Sequence, residues 1–232
     1  MKLAALFSGG KDSTYAIYDA KKSGHTIEVL FTILPKSDES HLLHFPNILQ
    51  TKIQSKSMDI PQIIEHLADL EPDIEELKLD ELIKAAKKTF DFEGIVHGGI
   101  LSAYQKNKFE TLCQKNDLKL VSPLWEKNDL LYMKELLHNN FNFIISSVSS
   151  DGLDKSWLGR KIGYSELQEL EHLSKKFHFN LNFEGGEAET FVVDCSLYSY
   201  PIQITKSKKI WDGYRGRFEI EDASLDSNAR QS

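Results

Sequence analysis

Six residues near the start of the chain, Ser8-Gly9-Gly10-Lys11-Asp12-Ser13, have the side chains and backbone that hold phosphate groups. The two glycines let the backbone approach a phosphate closely, Lys11 adds a positive charge, and the two serine hydroxyls can donate hydrogen bonds. The stretch lies between a predicted strand and a predicted helix, so the N–H groups that open the helix point at the same spot. The pattern therefore predicts a phosphate-binding loop, with an ordinary turn before a capped helix as the alternative.

Asp12 is the one residue of this loop whose charge opposes phosphate binding. A carboxylate beside bound phosphates is expected where Mg²⁺ lies between them, because that ion binds both kinds of oxygen. We therefore predict that Asp12 holds Mg²⁺. Two common nucleotide loops are excluded, since a Walker loop has Ser or Thr after its lysine and a Rossmann fingerprint spaces its glycines differently.

Three glutamates, Glu184, Glu187 and Glu189, flank a second Gly-Gly turn at Gly185-Gly186. Carboxylates that share one turn repel each other, and a cationic ligand would relieve that cost. Taken by itself, the pattern favours a solvated connection between two strands, with a cation-binding turn as the alternative interpretation.

Other candidate residues follow predicted strands. His44 and Asn47 come after the second strand, and Gly98 and Gly99 come after a later one. Ligands bind at the carboxyl ends of the strands in open parallel sheets. We therefore expect His44 and Asn47 to shape a nucleotide pocket and the two glycines to let the nucleotide approach, with a simple tight turn as the alternative for the glycines.

The elements that must position these residues alternate between strand and helix. Short apolar runs predict buried strands, and apolar residues at helical spacing predict the helices between them. The predicted strands are Lys2–Phe7, Thr26–Leu34, Gly94–His97, Lys119–Val121 and Phe141–Val148. The predicted helices are Lys11–Ser23, Ile48–Met58, Asp80–Phe90, Ser102–Lys115 and Asp129–His138. This alternation predicts an α/β fold with a parallel sheet and helices on both of its faces.

The chain changes character beyond Ser149. Ser165-Glu166-Leu167-Gln168 predicts a capping box that opens a helix. The strands predicted after it are Phe191–Val193, Pro201–Thr205 and Lys208–Trp211. We therefore predict an N-terminal α/β domain over residues 1–126, a smaller C-terminal α+β domain over 127–222, and a polar tail over 223–232.

Composition limits the class of protein. The chain has 232 residues, of which 41% are hydrophobic, as is typical of a globular protein. It has no apolar run of the roughly 20 residues that a membrane span needs and no signal peptide, so we expect a soluble, cytoplasmic protein without a membrane partner. The only two cysteines, Cys113 and Cys195, lie far apart in the sequence and rule out Cys-x-x-Cys chemistry.

The formal charge of −7 is concentrated in one place. Eight acidic residues and one lysine between Glu65 and Glu81 account for all of it, and the rest of the chain is balanced. This balance argues against a general nucleic-acid binder. The acidic stretch is either a solvated helical face or a docking surface for a basic partner, and the sequence leaves both open.

The loop at Ser8–Ser13 resembles the pyrophosphate loop of the N-type ATP pyrophosphatases, which share the adenine-nucleotide α-hydrolase-like (HUP) fold. In that superfamily the loop holds the β and γ phosphates of ATP while a substrate oxygen attacks the α phosphorus. The resemblance implies that ATP and Mg²⁺ are bound here and that Lys11 and Asp12 are catalytic. The expected nucleotide-binding residues are Ser8, Gly9, Gly10, Lys11, Asp12, Ser13, His44, Asn47, Gly98 and Gly99.

Further stretches resemble one family, the diphthine–ammonia ligases, from the first strand to about Trp211. They are Glu39-Ser40 with His44, Pro46 and Asn47; Gly99 to Gln105; Pro123-Leu124-Trp125; Gly152 to Arg160; and Glu184 to Asp194. The chain departs from the family at Lys106-Asn107-Lys108, where Arg-x-Arg is usual, and at Ala188, where an aromatic residue is common.

This resemblance implies an AMP-forming ligase that amidates diphthine, a modified histidine on the translocation elongation factor. Free ammonium is the expected nitrogen source, because the chain leaves no room for a glutaminase domain. The implied setting is archaeal or eukaryotic cytosol. The oligomeric state stays open, and no direct nucleic-acid partner is expected.

The resemblance also implies roles at the acceptor site. Glu187 is expected to bind ammonia or the acceptor, and the rings of Tyr104 and Trp157 to hold a trimethylammonium group. Arg160 is expected to pair with a carboxylate or a phosphate. The alternatives are packing under the loop for Trp157 and a surface salt bridge for Arg160. The other expected substrate-binding residues are Gln105, Gly159, Glu184, Gly185, Gly186, Glu189 and Thr190.

Two other functions stay open at this stage. A tRNA-modifying sulfurtransferase of the same superfamily would need catalytic cysteines near the loop and a basic surface, so Cys113, Cys195 and the charge argue against it. A regulatory module would bind the nucleotide without turnover.

Overall fold

A computed structural model describes residues 1–34, 47–66, 72–100 and 103–229, with the backbone alone at 72–75 and 103–105. Its contacts divide the chain into two compact units. Unit 1 comprises Met1–Ser8, Asp12–Ile48 and Ile60–Trp125, and unit 2 comprises Gly9–Lys11, Leu49–Asp59 and Glu126–Ser232. The middle of the predicted phosphate loop, Gly9–Lys11, therefore groups with the second unit.

Unit 1 is built on a five-stranded parallel sheet. Its strands are β1 (Lys2–Leu6), β2 (Thr26–Leu34), β3 (Gln62–His66), β4 (Gly94–Val96) and β5 (Lys119–Val121). The strand order is β3-β2-β1-β4-β5, so the direction of winding reverses between β1 and β4. Crevices at such reversals, outside the carboxyl ends of the strands, are where open α/β sheets bind ligands. The predicted phosphate loop follows β1, and Gly98-Gly99 follows β4.

Helices of unit 1 connect these strands. They are α1 (Lys11–Lys22, whose first residue groups with unit 2), α3 (Pro72–Ala86) and α4 (Ala103–Lys115). Alternate residues of β2, such as Val29 and Phe31, pack in one cluster with Leu82 of α3 and Leu112 of α4. Leu30, which points to the opposite face, is also fully buried. Burial on both faces is what the near-continuous apolar run of β2 predicted.

Unit 2 is built on a four-stranded antiparallel sheet. Its strands are β6 (Asn142–Val148), β7 (Ala188–Asp194), β8 (Ile202–Trp211) and β9 (Gly216–Leu225), in the order β7-β6-β9-β8. Its helices are α2 (Thr51–Met58, preceded by a 3₁₀ turn at Ile48–Gln50), α5 (Asp129–His138) and α6 (Tyr164–Phe177). The predicted class, a parallel-sheet α/β domain followed by an α+β domain, is confirmed by these two sheets.

Two strands were not predicted from the sequence. Strand β3 has only two apolar residues, Ile63 and Ile64, and forms because its backbone pairs with β2. Strand β9 runs to Leu225, inside the predicted tail 223–232, because it pairs with β8 along its whole length. The same pairing joins the two predicted strands at Pro201–Thr205 and Lys208–Trp211 into one.

Two helix starts also differ from the sequence prediction. Helix α3 begins at Pro72 rather than Asp80, where proline suits the first position because it lacks an N–H. Helix α6 begins one residue before Ser165, and the carboxylate of Glu166 accepts a hydrogen bond from the N–H of Gly163 at 3.1 Å. The first turn is therefore capped from Glu166, not by the predicted Ser165 box. No described helix combines the length and apolar character required to cross a bilayer.

The acidic stretch contributes one buried carboxylate to the packing of α3 on α4. Asp80 is 3% exposed and accepts hydrogen bonds from Lys84 (2.7 Å) and from the Asn116 side chain (2.8 Å). The ammonium of Lys115 lies 3.0 Å away. The bonds from Lys84 and Asn116, helped by the charge of Lys115, hold the pKa of the Asp80 carboxyl well below its usual value.

We predict that Asp80→Asn destabilises the protein by about 1–3 kcal/mol at pH 7, because both lysines lose a charged acceptor. The folded-state pKa lies below the unfolded value of about 3.9, so the contribution is present in full above the unfolded value, decreases below it, and is lost as the pH falls through the folded-state pKa. Denaturant unfolding at pH 7 and at pH 3 checks this. Glu81→Gln on the same helix, in an exposed pair with Lys78, is the control and should change little. The difference between Asp80→Asn and wild type should be smaller at pH 3 than at pH 7, and a difference that did not shrink would contradict the assignment.

Candidate active site

The unit 1 part of the phosphate loop is closed by its two serines. The Ser8 and Ser13 hydroxyl oxygens lie 3.1 Å apart, and the Ser8 N–H donates to the Ser13 hydroxyl at 3.3 Å. Asp12 is half-buried in the first turn of α1. The loop thus leaves β1 in a tight turn, and the carboxylate of Asp12 lies at the start of a 12-residue helix.

Gly98 packs directly against the first turn of α1. A Cβ at Gly98 would lie 2.5 Å from the carbonyl carbon of Asp12 and 2.7 Å from the N of Ser13. Both are backbone atoms that cannot move aside, so only glycine allows this approach. The glycine predicted to admit a nucleotide is therefore also required by the packing of the loop.

His97 holds the turn that contains these glycines. Its Nδ1 accepts the N–H of Gly99 at 3.1 Å, so its Nε2 carries the proton and donates to the Ser122 hydroxyl at 2.7 Å. Burial, with the nearby charge of Lys106, lowers the pKa of His97 to about 4. The ring is therefore neutral at pH 7 and serves as a fixed support for Gly98-Gly99.

The unit 2 part of the loop is held by β7. The carbonyl of Gly9, whose φ is +79°, accepts the N–H of Val192 at 3.0 Å. The N–H of Lys11 donates to the hydroxyl of Thr190 at 3.0 Å. Thr190, predicted to bind the substrate, is placed here beside the loop backbone.

The side chain of Lys11 is buried rather than extended into solvent. It is 2% exposed, and its ammonium donates to the carbonyl of Asn182 at 2.5 Å. The same ammonium lies 5.5 Å from the centre of the Phe183 ring. The positive charge predicted for the loop is therefore fixed in position by the segment that precedes the Glu184–Glu187 turn.

Each of the two positions in that turn requires glycine for a different reason. Gly186 has a φ of +80°, which disfavours other residues. A Cβ at Gly185 would lie 2.6 Å from Glu187 Oε1 and 2.8 Å from the Asn180 side-chain nitrogen. A side chain at Gly185 would therefore push apart Glu187 and Asn180, which are hydrogen-bonded to each other.

Glu187 is anchored by one of its two carboxylate oxygens. Oε1 accepts hydrogen bonds from the Asn180 backbone (2.8 Å) and the Asn180 side chain (2.9 Å). Oε2 is buried and has no partner within the described part of the chain. A buried carboxylate oxygen favours a donor or cation beside it, as the sequence predicted for this turn.

Sequence analysis missed two polar residues next to this turn, Asp129 and Asn182. The fully buried Asn182 side chain donates to Asp129 at 2.8 Å and accepts the N–H of Glu184 at 3.1 Å. Burial raises the pKa of Asp129, the charge of Lys11 opposes this, and the charge of Glu187 adds to it. Asparagines at alternate positions before Glu184 were the available signal.

Trp157 and Arg160 pack on each other. Trp157 is 2% exposed, and the Arg160 guanidinium lies 4.3 Å from the centre of its ring. Arg160 also pairs with Glu166 (3.3 Å) and Glu169 (2.6 Å) on α6. Gly159 lies against the ring of Phe218. This geometry matches the packing and salt-bridge alternatives left open for Trp157 and Arg160.

The remaining predicted residues are placed as follows. Asn47 has a φ of 68° and is half-buried, and Glu184 and Glu189 are half-buried as well. Tyr104 and Gln105 lie in the first turn of α4, where only the backbone is described, and His44 lies outside the described residues.

Among the described residues, a metal site built from several side chains and a reactive thiol both lack the groups they need. No group of three His, Cys, Asp or Glu side chains in the described ranges is arranged to hold a metal ion. Asp12 alone still suits Mg²⁺, which keeps several waters and takes phosphate oxygens with one carboxylate. Cys113 and Cys195 are each 2% exposed, and burial raises the pKa of the Cys113 thiol to about 11. Neither sulfur has the character of a reactive thiolate.

Comparison with known proteins finds one family over most of the chain. The family model described as the diphthamide synthase N-terminal domain matches residues 1–120, and the diphthamide synthase C-terminal domain matches residues 128–225. The diphthine–ammonia ligases of Rattus norvegicus and Bos taurus are 31% and 32% identical to the chain, and each alignment covers 90% of it and 85% of the relative. A solved structure, a "predicted subunit of tRNA methyltransferase" from Methanocaldococcus jannaschii, matches 84% of this chain and 98% of its own, with a TM-score of 0.41 and 18% identity.

We predict that neither cysteine of the native protein reacts with a thiol reagent at pH 8, because both are buried and Cys113 stays protonated. Titration with a chromogenic disulfide should find about zero thiols per native chain. The same titration in guanidinium should find both, which is the control. Rapid labelling of either residue in the native protein would contradict the burial argument.

Proposed function

The chain belongs to the diphthamide synthase family, and we propose that it catalyses the ATP-dependent amidation of diphthine on the translation elongation factor. The relatives named diphthine–ammonia ligase support this activity across nearly the whole chain. The proposed acceptor is a translation factor, which implies a cytoplasmic setting.

The proposed reaction has two steps. In the first, a carboxylate oxygen of diphthine attacks the α phosphorus of ATP, the bond to the β phosphate breaks, and pyrophosphate leaves. In the second, the nitrogen of ammonia attacks the adenylated carboxyl carbon, AMP leaves with the bonding electrons, and a proton is released. The products are diphthamide, AMP and pyrophosphate.

The observation that carries the ATP part is the position of the Ser8–Ser13 loop. It joins β1 to the N-terminus of α1, at the reversal of winding between β1 and β4. The helix N-terminus and the fixed charge of Lys11 favour anions there. We assign the β and γ phosphates to this loop, with Ser8 and Ser13 as hydroxyl donors, because stabilising the departing charge accounts for most of the catalysis at phosphorus.

Asp12 is the residue that we propose to hold Mg²⁺. Its carboxylate lies in the same turn as the proposed phosphate site, and a single carboxylate satisfies the protein's share of the ligands that this ion takes. When bound, Mg²⁺ supplies charge neutralisation at the phosphates.

Glu187 is the residue that we propose to bind ammonium. One of its oxygens is fixed by Asn180, so the other stays in one place. That second oxygen, Oε2, is buried without a partner among the described residues, and a small cation would supply donors to it. For the acceptor, Tyr104, Gln105, Gly159 and Glu189 remain proposals that rest on the family resemblance.

The buried thiols disfavour the rival sulfurtransferase, which needs a reactive cysteine. The decisive assay incubates the protein with ATP, Mg²⁺, ammonium and diphthine-bearing elongation factor. The ligase yields AMP, pyrophosphate and a factor whose mass falls by about one unit as –OH is replaced by –NH₂. A regulatory module yields none of these, and formation of ADP would overturn the proposed reaction.

We predict that Asp12→Asn lowers ATP turnover by about a hundredfold while the protein stays folded, because the charge that holds the metal is lost. Turnover against Mg²⁺ concentration, with circular dichroism as the folding check, measures this. Asp19→Asn, two turns along the same helix, is the matched control. Near-normal turnover of Asp12→Asn would remove the metal assignment.

We predict that Glu187→Gln raises the KM for ammonium about tenfold or more, since the neutral amide lacks the charge that attracts the cation. Pyrophosphate–ATP exchange, which reports the first step alone, should change by less than about twofold. Glu171→Gln on α6, whose partner is the exposed Lys175, is the control. Equal losses in both steps would show that Glu187 does not act in amide formation.

A further inference from the structure

Gln54 in α2 is a fully buried amide that reaches the phosphate loop. Its side-chain nitrogen donates to the carbonyl of Gly9 at 2.9 Å and to the carbonyl of Val192 at 2.8 Å. The orientation of the amide is forced, because the reversed amide would place its oxygen against two carbonyl oxygens. Gln54 therefore joins the loop to β7 through one side chain.

The Gly9 carbonyl receives two donors in this way. The N–H of Val192 binds it at 3.0 Å, and the amide of Gln54 binds it at 2.9 Å. A carbonyl oxygen has two acceptor positions, so both are used. In a trans peptide the next N–H points opposite to the carbonyl. Holding the Gly9 carbonyl therefore sets the direction of the Gly10 N–H.

Gly9 and Gln54 are also fitted to each other in space. A Cβ at Gly9 would collide with Gln54 Oε1 and would lie 3.0 Å from the methyl carbon of Thr51. The positive φ of Gly9, +79°, adds a second reason for glycine at this position. A side chain at Gly9 would therefore prevent the loop from packing this closely on α2.

Packing alone does not explain why the residue at position 54 carries an amide. Within the described ranges Gln54 Oε1 is buried and has no hydrogen-bond partner. An apolar side chain of similar length would fill the volume without burying an unpaired oxygen. The two bonds that the nitrogen donates are therefore the reason for an amide at this position.

We propose that Gln54 is a positioning residue of the ATP site: it fixes the Gly9–Gly10 peptide so that the Gly10 N–H faces the phosphates. It touches neither ATP nor the acceptor and acts through Gly9. This inference rests on the proposed function of the loop.

The test is Gln54→Glu, which keeps the size of the side chain but replaces the double donor with an acceptor that repels both carbonyls. Pyrophosphate–ATP exchange is measured with diphthine-bearing elongation factor and no ammonium. The expected result is a ten- to hundredfold fall in kcat/KM for ATP, about the effect of displacing a positioned group. In the full reaction the KM for ammonium should stay unchanged.

Gln50→Glu is the matched control. Gln50 precedes the same helix, and its side chain donates to the carbonyl of Ile220 at 3.1 Å, away from the loop. The same substitution there should leave kcat/KM for ATP within about twofold of wild type. If Gln54→Glu lowers the melting temperature but exchanges like Gln50→Glu, Gln54 only supports the packing of α2 and the proposal is wrong.

A second measurement needs no variant. In wild-type protein labelled with ¹⁵N, ATP should shift the side-chain amide signals of Gln54 and leave those of Gln50 in place. Unmoved Gln54 signals at saturating ATP would overturn the proposal even if Gln54→Glu fails to fold. Absence of exchange in the wild type would overturn the proposed function and this inference together, whereas exchange in both wild type and Gln54→Glu would overturn this inference alone.

Discussion

The hydrogen bonds that hold the backbone of Gly9 and Lys11 are the constraint on which the candidate site depends. The Gly9 carbonyl accepts from Val192 and Gln54, and the Lys11 N–H donates to Thr190. A loop rich in glycine loses much conformational entropy on ordering. Because these bonds order it in advance, a phosphate that binds there meets donors already in place, and the cost of arranging them does not fall on the binding step.

Hydrogen bonds also hold the Glu184–Glu187 turn in place, although this turn is negatively charged. Asn180 fixes one oxygen of Glu187, and Asn182 holds both Asp129 and the ammonium of Lys11. Burial raises the pKa of Asp129, and the nearby charge of Glu187 adds to this effect. Lys11, expected from the sequence to add a positive charge to the phosphate loop, therefore also contacts Asn182 and opposes the rise in the pKa of Asp129.

The chemistry proposed for this family needs no covalent intermediate on the protein, and the side chains agree with that. Both cysteines are buried, and His97 is held neutral as a structural support. The described residues supply charges in fixed positions, backbone N–H donors and two tight turns that contain glycine. These are the means by which a protein accelerates transfer at phosphorus, where positioning and electrostatic stabilisation provide most of the rate.

The sequence alone determined the alternation of most strands and helices, the class of both domains, and the position of the loop at Ser8–Ser13. Local signals suffice for these, because apolar periodicity and Gly-Gly turns are properties of neighbouring residues. Only the tertiary structure decided that Lys11 is buried against Asn182, that Arg160 covers Trp157, and that Gln54 and Asp129 belong to the site. The contacts of Lys11 with Asn182 and of Gln54 with Val192 join residues more than a hundred positions apart, and no local pattern carries that information. The packing of Arg160 on Trp157 is local in sequence, but the sequence left the salt-bridge and ligand roles of Arg160 both open. Strands β3 and β9 escaped prediction because their sequences carry few apolar residues, whereas their backbones pair with β2 and β8.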